Sequence, residues 1–229
     1  MLEAKPAKCL LTYSIINEVY NMDFELSPIF IPEDLSNLKL PTPELVTFYQ
    51  SLENRVLWLD DEIGDQLLEF SKYIIRWNME DDKAEIPIEN RKPIKLLIFS
   101  PGGSLYACNH FVDVIEMSRT PVWGINVGMA MSAAFFIQLS CHRRLATKNA
   151  VALIHQGSNG ISGNAADVIS SAKNYEQQLN RLKDRVLEKT NITSRLYNQK
   201  LKEDWYLDSS EQLKYGIVEA IVEDISELF

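Results

Sequence analysis

The chain has 229 residues, 46% of them hydrophobic and 24% charged, the balance of a soluble globular protein with one domain or one domain plus an extension. Its 23 Lys and Arg stand against 32 Asp and Glu, a net charge of -9 that argues against a generic basic face for nucleic acid or an anionic membrane. The three cysteines, Cys9, Cys108 and Cys141, lack CxxC spacing and read as reduced thiols of a cytoplasmic protein, and no window reaches the roughly 18 uncharged apolar residues of a membrane span.

Residues 1–41 carry Pro6, Pro28, Pro32 and Pro41 among scattered apolar residues with no sustained period. They read as an N-terminal arm that docks on the body or on a neighbouring subunit, or as a flexible leader. The start lacks the long apolar run of a signal peptide. From Thr42 the signals sharpen: TPELVTFYQSLENR supplies a Thr N-cap, Pro at the first helical position and an acid in the first turn. A short strand follows at 55–59, then a helix over Asp65 to Asn78 with a broad apolar face of Leu67, Leu68, Phe70, Ile74, Ile75 and Trp77. The charged stretch 79–93, broken by two prolines, reads as a solvated loop.

Strand IKLLIF (94–99), the turn SPGG (100–103) and a helix from Leu105 to Met117 form one unit, and the pattern repeats with VWGINV (122–127), Gly128 and a helix over 133–140. Strands at 143–147 and 151–155 come next. The alternation predicts β-α units around a mainly parallel sheet, a fold that places its sites at strand-to-helix junctions. In residues 165–190, Val168, Ala172, Tyr175, Leu179, Leu182 and Val186 recur at steps of 4, 3, 4, 3 and 4, one apolar stripe along a long helix. That stripe packs either on the chain's own core or on a partner's copy. The tail, 205–224, reads as a capped helix ending near Gly216 and then a last strand.

Of three histidines, His110 lies mid-helix and His142 in a polar CHRR turn, both structural or surface positions. His155 closes an apolar strand and opens into the glycine-rich QGSNGISGNA, where a proton-transfer residue belongs. Ser132 stands four residues after Gly128 at a strand-to-helix junction, placed for a nucleophile at a helix N-terminus or for an ordinary N-cap. In SPGG the paired glycines let backbone amides approach a ligand, which suits an oxyanion hole or a plain tight turn. Asp204 precedes the pair Trp205–Tyr206, as an orienting acid or a solvated charge.

In order, SPGGSLYA, GMAMSA, LIHQ with its glycine-rich run and long helix, and EDWYL with YGIVE resemble the proteolytic subunit of the Clp protease, the ClpP family, over about residues 42 to 224. The order Ser…His…Asp also separates the chain from α/β-hydrolases. The resemblance implies an α/β fold, a ClpP/crotonase-like spiral of β-α units with a projecting handle helix at about 165–190. It divides the chain into an arm or propeptide-like extension at 1–41 and a peptidase domain at 42–229. It implies Ser132 as nucleophile, His155 as general base and Asp204 as the group that orients and charge-stabilises the imidazole. Gly103 and Ala133 would supply the oxyanion N–H groups. Gly102, Gly157, Gly160 and Gly163 would line the path of an extended peptide paired through its main chain.

The implied activity is serine-type hydrolysis of unfolded polypeptides inside a chamber of homo-heptameric rings that meet in pairs through the handle helix, fed by a Clp-type AAA+ ATPase. No metal or cofactor is implied, ATP being the partner's. The chain departs from the family pattern at Lys95 and Leu97, where docking-pocket aromatics are usual, at Ala133–Ala134 after the serine, and at Gly157, where proline is usual. Two alternatives stand beside this reading: a catalytically weak or silent subunit of a mixed ring, and a crotonase-type acyl-CoA enzyme.

Overall fold

The computed structural model describes residues 42–158 and 160–228, so the arm expected over 1–41 lies outside the described residues. Helix α1 (Pro43–Glu53) leads to β1 (Val56–Leu59), and α2 (Gln66–Lys83) leads to β2 (Ile94–Ser100). Helix α3 (Leu105–Met117), strand β3 (Val122–Met131) and helix α4 (Ala133–Ser140) come next, then β4 (Arg143–Thr147) and β5 (Val151–Ile154). The long α5 (Ala165–Lys189) precedes α6 (Ser194–Lys200), β6 (Trp205–Leu207), α7 (Ser209–Lys214) and β7 (Ala220–Val222). The α/β class expected from the alternation is the one observed.

Three local differences from the expectation have identifiable causes. Helix α2 runs on through Met79–Lys83 instead of ending at Asn78. Asp81 is 1% exposed, and its carboxylate takes both guanidinium nitrogens of Arg55, at 2.6 and 2.8 Å, and the Thr120 hydroxyl at 2.7 Å. The Arg55 hydrogen bonds hold that carboxyl below its ordinary range, against the opposing pull of burial. The two partners are 26 and 39 residues away, so a charged run that reads as solvated is recruited into the core.

Strand β3 passes straight through Gly128 to Met131. The β2–β3 ladder shifts register between Ile98 and Ser100, and the buried Asn126 side chain accepts the Gly128 N–H at 3.1 Å, closing the irregularity inside the strand. In the tail, the expected single helix is a strand and a shorter helix. Asp208 caps α7 in a reciprocal box with Glu211, which leaves Trp205–Leu207 free to pair with β5.

The sheet runs β1-β2-β3-β4-β7, all parallel, and β3 divides its edge between two partners. Its first half, Trp123–Asn126, pairs with β4, and its last three residues, Met129–Met131, pair with β5. Strand β6 lies antiparallel on β5. One face carries Leu57, Leu59, Leu96 and Ile98 against Phe111, Ile115 and Phe135 of the helices, the main core. The alternate residues Val56, Leu97, Ile125 and Leu145 make a smaller cluster on the other face. There Lys95 is 7% exposed, its ammonium 5.9 Å from the Trp123 ring, whose other cation is Arg143 at 4.5 Å. Among the described residues no helix is long and apolar enough to cross a membrane.

Candidate active site

Between the last residue of β3 and the first of α4 there is one residue, Ser132, at φ 54° and ψ -121°. A positive φ on a residue with a Cβ costs about 1–3 kcal/mol and persists only where the surroundings dictate it. They do so here. The Ser132 N–H donates to Leu153 O at 2.9 Å, its carbonyl accepts from Phe135 N–H at 3.1 Å, and all eight residues of α4 are buried. The bend turns the hydroxyl away from a capping role, since the Ser132 side chain makes no cap hydrogen bond to its own helix.

The SPGG turn packs on this elbow. Gly102 and Gly103 take φ 99° and 147°, and a Cβ on Gly102 would lie 2.6 Å from Met131 O and 2.7 Å from Ser132 Cβ. A Cβ on Gly103 would lie 2.5 Å from Ile63 O. Both glycines are therefore required by position as well as by torsion. Ile63 N–H donates to Gly102 O at 2.7 Å and Ser104 N–H to Ile63 O at 2.9 Å, a parallel bridge that leaves the Gly103 N–H out of its bonding. The Gly102 N–H is turned inward to Ser100 Oγ at 3.2 Å. Ala133, whose N–H opens α4, is fully buried, and Cys108 of α3 donates its thiol to the Ala133 carbonyl at 3.3 Å. Burial pushes the Cys108 thiol up to about 12, so it stays a protonated donor.

His155 is the first residue beyond β5, and two ladders place it. Met131 pairs with Leu153 across β3–β5, setting the serine and histidine on adjacent strand ends. Ile154 pairs with Trp205 across β5–β6, so the next step outward puts His155 opposite Asp204. His155 Nε2 lies 2.7 Å from Ser132 Oγ, and Nδ1 lies 3.8 Å from Asp204 Oδ1. The first distance is a hydrogen bond. The second lies beyond hydrogen-bond reach, and the Asp204 side chain is 58% exposed. In the tautomer whose Nε2 accepts the serine proton, the imidazole's own hydrogen is on Nδ1, facing the carboxylate.

Ser132 and His155 open into a cavity of about 760 Å³, which Gly103, Gly157 and Gly160 also line. Gly102 lies behind it, and Gly163, with φ 152°, sits against Asp167 at the start of α5. The described part of the 157–163 segment belongs to no strand. Sequence reasoning missed the other wall: Tyr106, Phe136, Leu153, Tyr175, Gln178 and Leu182. Tyr175 and Leu182 were visible only as members of the helical stripe. A larger groove of about 920 Å³ along α1 and β1, with Phe48, Trp58 and Phe70, holds no serine–histidine pair. Among the described residues no group of three or more His, Cys, Asp or Glu is placed to hold a metal ion.

The family described as Clp protease matches residues 47–225. The ATP-dependent Clp protease proteolytic subunit 2 of Treponema pallidum (strain Nichols) is 30% identical over 187 residues, 81% of this chain and 90% of that protein. The chloroplastic ATP-dependent Clp protease proteolytic subunit 4 of Arabidopsis thaliana is 31% identical over 178 residues, 75% of this chain and 57% of that one. Among solved structures, a ClpP1 variant from Listeria monocytogenes matches with a TM-score of 0.67 at 22% identity, covering 80% of this chain and 99% of that chain, a likeness of fold.

Proposed function

The chain belongs to the Clp protease family, and from that membership we propose that it is a serine-type endopeptidase whose chemistry is carried by Ser132, His155 and Asp204. The observation that carries the assignment is the 2.7 Å contact between Ser132 Oγ and His155 Nε2 at the floor of an open cavity. Ser132 Oγ attacks the scissile carbonyl carbon while His155 Nε2 takes its proton. The carbonyl oxygen becomes an oxyanion held by the N–H groups of Gly103 and Ala133. The C–N bond then breaks, the leaving amine receives the proton from His155, and an acyl-enzyme remains. Water, deprotonated by the same imidazole, releases the acid and restores Ser132. Asp204 favours the imidazolium of both steps. No step needs a metal or cofactor.

Gly157 and Gly160 bring bare backbone to the cavity, with Gly102 behind it and Gly163 at the start of α5, which fits recognition of an extended peptide through its main chain. In our reading the chain works in the cytoplasm, where its buried free thiols Cys108 and Cys141 stay reduced. It assembles into homo-heptameric rings paired through α5, and a Clp-type AAA+ ATPase supplies unfolded protein. The open His155–Asp204 side favours one second reading, a weak or silent subunit of a mixed ring. Family membership leaves no support for the acyl-CoA alternative.

The test is labelling with a fluorophosphonate and mass mapping of the adduct. A stoichiometric adduct on Ser132, abolished in Ser132→Ala together with peptide hydrolysis, is the expected result. An unlabelled wild-type chain would overturn the active reading in favour of the silent one.

A further inference from the structure

We propose that Tyr175 is a positioning residue for His155: its hydroxyl, bonded to the Gln156 carbonyl, latches the strand end that carries the imidazole to helix α5. The inference rests on the peptidase reading above. It starts from where sheet support ends. The β3 ladder holds β5 as far as Leu153 and the β6 ladder as far as Ile154, so His155 is the first residue without a ladder partner. Its placement then depends on what fixes the next residue.

Gln156 is fixed twice. Its carbonyl oxygen accepts the Tyr175 O–H at 2.9 Å, and its side-chain Nε2 donates to Leu201 O at 3.1 Å. Leu201 caps α6 and lies three residues before Asp204. One residue thus ties the histidine's strand end to α5 on one side and to the carboxylate's turn on the other.

Gly157 shows that the tyrosine hydroxyl occupies a reserved place. Its φ is 72°, and a Cβ there would lie 2.8 Å from Tyr175 Oη. Any other residue at 157 would displace the phenol as well as strain the backbone. The neighbouring Asn174 donates to Tyr106 Oη at 3.1 Å, so consecutive residues of α5 grip both rims of the cavity. Desolvation raises the Tyr175 hydroxyl above its ordinary range, which keeps it a donor at every working pH. A phenylalanine would keep the apolar stripe of α5 and lose only the latch.

The experiment compares wild type, Tyr175→Phe, Gly157→Ala and the double variant on a short fluorogenic peptide, with fluorophosphonate labelling rate and sedimentation measured alongside. The expected result for Tyr175→Phe is a kcat lower by roughly three- to ten-fold, the size of one lost hydrogen bond, with KM within about two-fold. The labelling rate falls with kcat and the particle size stays unchanged. Gly157→Ala loses more, and the double variant is no worse than Gly157→Ala, because both changes open the same latch. Wild-type kinetics in Tyr175→Phe, losses that multiply, an effect confined to KM, or a changed particle size would each overturn the proposal. If wild type itself neither hydrolyses nor labels, the peptidase reading falls, and deuterium uptake over 155–163 judges the latch alone. Faster uptake in Tyr175→Phe upholds it, and unchanged uptake overturns it.

Discussion

On its Ser132 side, His155 meets a group that the fold holds from every direction: a strand behind it, a wholly buried helix in front, and the SPGG turn pressed against its Cβ. On its Asp204 side it meets a carboxylate more than half exposed, at a spacing of 3.8 Å, on a turn held through Gln156 and Leu201. In the proposed mechanism the nucleophile gains from being immobile, because strain at its backbone survives only in a stiff frame and because the oxyanion donors must already be in place when charge develops. The acid proposed to steady the imidazolium tolerates more freedom, since a charge acts at a distance where a hydrogen bond does not. The two halves of the site therefore answer to different physics.

Three substitutions sharpen or break this contrast. Gly102→Ala attacks the stiff half, because its methyl group would enter the space of Met131 O and Ser132 Cβ. Misalignment of the proposed oxyanion site predicts a fall in kcat of about 100-fold or more. Near-normal turnover there would show that the elbow yields. Asp204→Asn tests the loose half, and the open spacing predicts a loss of roughly 10- to 100-fold, smaller than that of Ser132→Ala. A loss as deep as that of Ser132→Ala would mean that the carboxylate closes on the imidazole during turnover and that the halves are equals. The smallest effect belongs to Cys108→Ala, which removes one weak S–H donor behind an elbow already fixed by other bonds. We expect less than about a three-fold change in kcat/KM. A native thiol held up to about 12 should also resist alkylation until the protein unfolds, which mass spectrometry after iodoacetamide would read.

Much of this site could be read from the chain because motif order and strand ends carry it. Ser132 and His155 each follow an apolar run of strand length, and parallel neighbours bring such ends together. Asp204 depended more on resemblance, because β6 has three residues and its pairing with β5 is a tertiary event that three residues cannot announce. The same limit hid the end of α2, where Asp81 becomes a core residue only through Arg55 and Thr120. Tyr175 was legible as apolar, and its hydroxyl's role was not, since nothing local says that a carbonyl 19 residues upstream waits for it.

The division of β3 between two partners has a consequence for mutational tolerance. The relation of serine to histidine is written in three ladder rungs, Met129 with Val151, Ala130 with Ala152 and Met131 with Leu153. Everything between them in the chain, 132–150, returns to the same rungs. One residue gained or lost inside β5 would therefore turn the imidazole to the opposite face of the sheet, and the turn before it is tied as well, with Ala150 buried, Lys148 O accepting from Ser209 Oγ and Ala150 O from Gln212 Nε2. Heritable indels are expected to be purged from β5 and from the turn that leads into it.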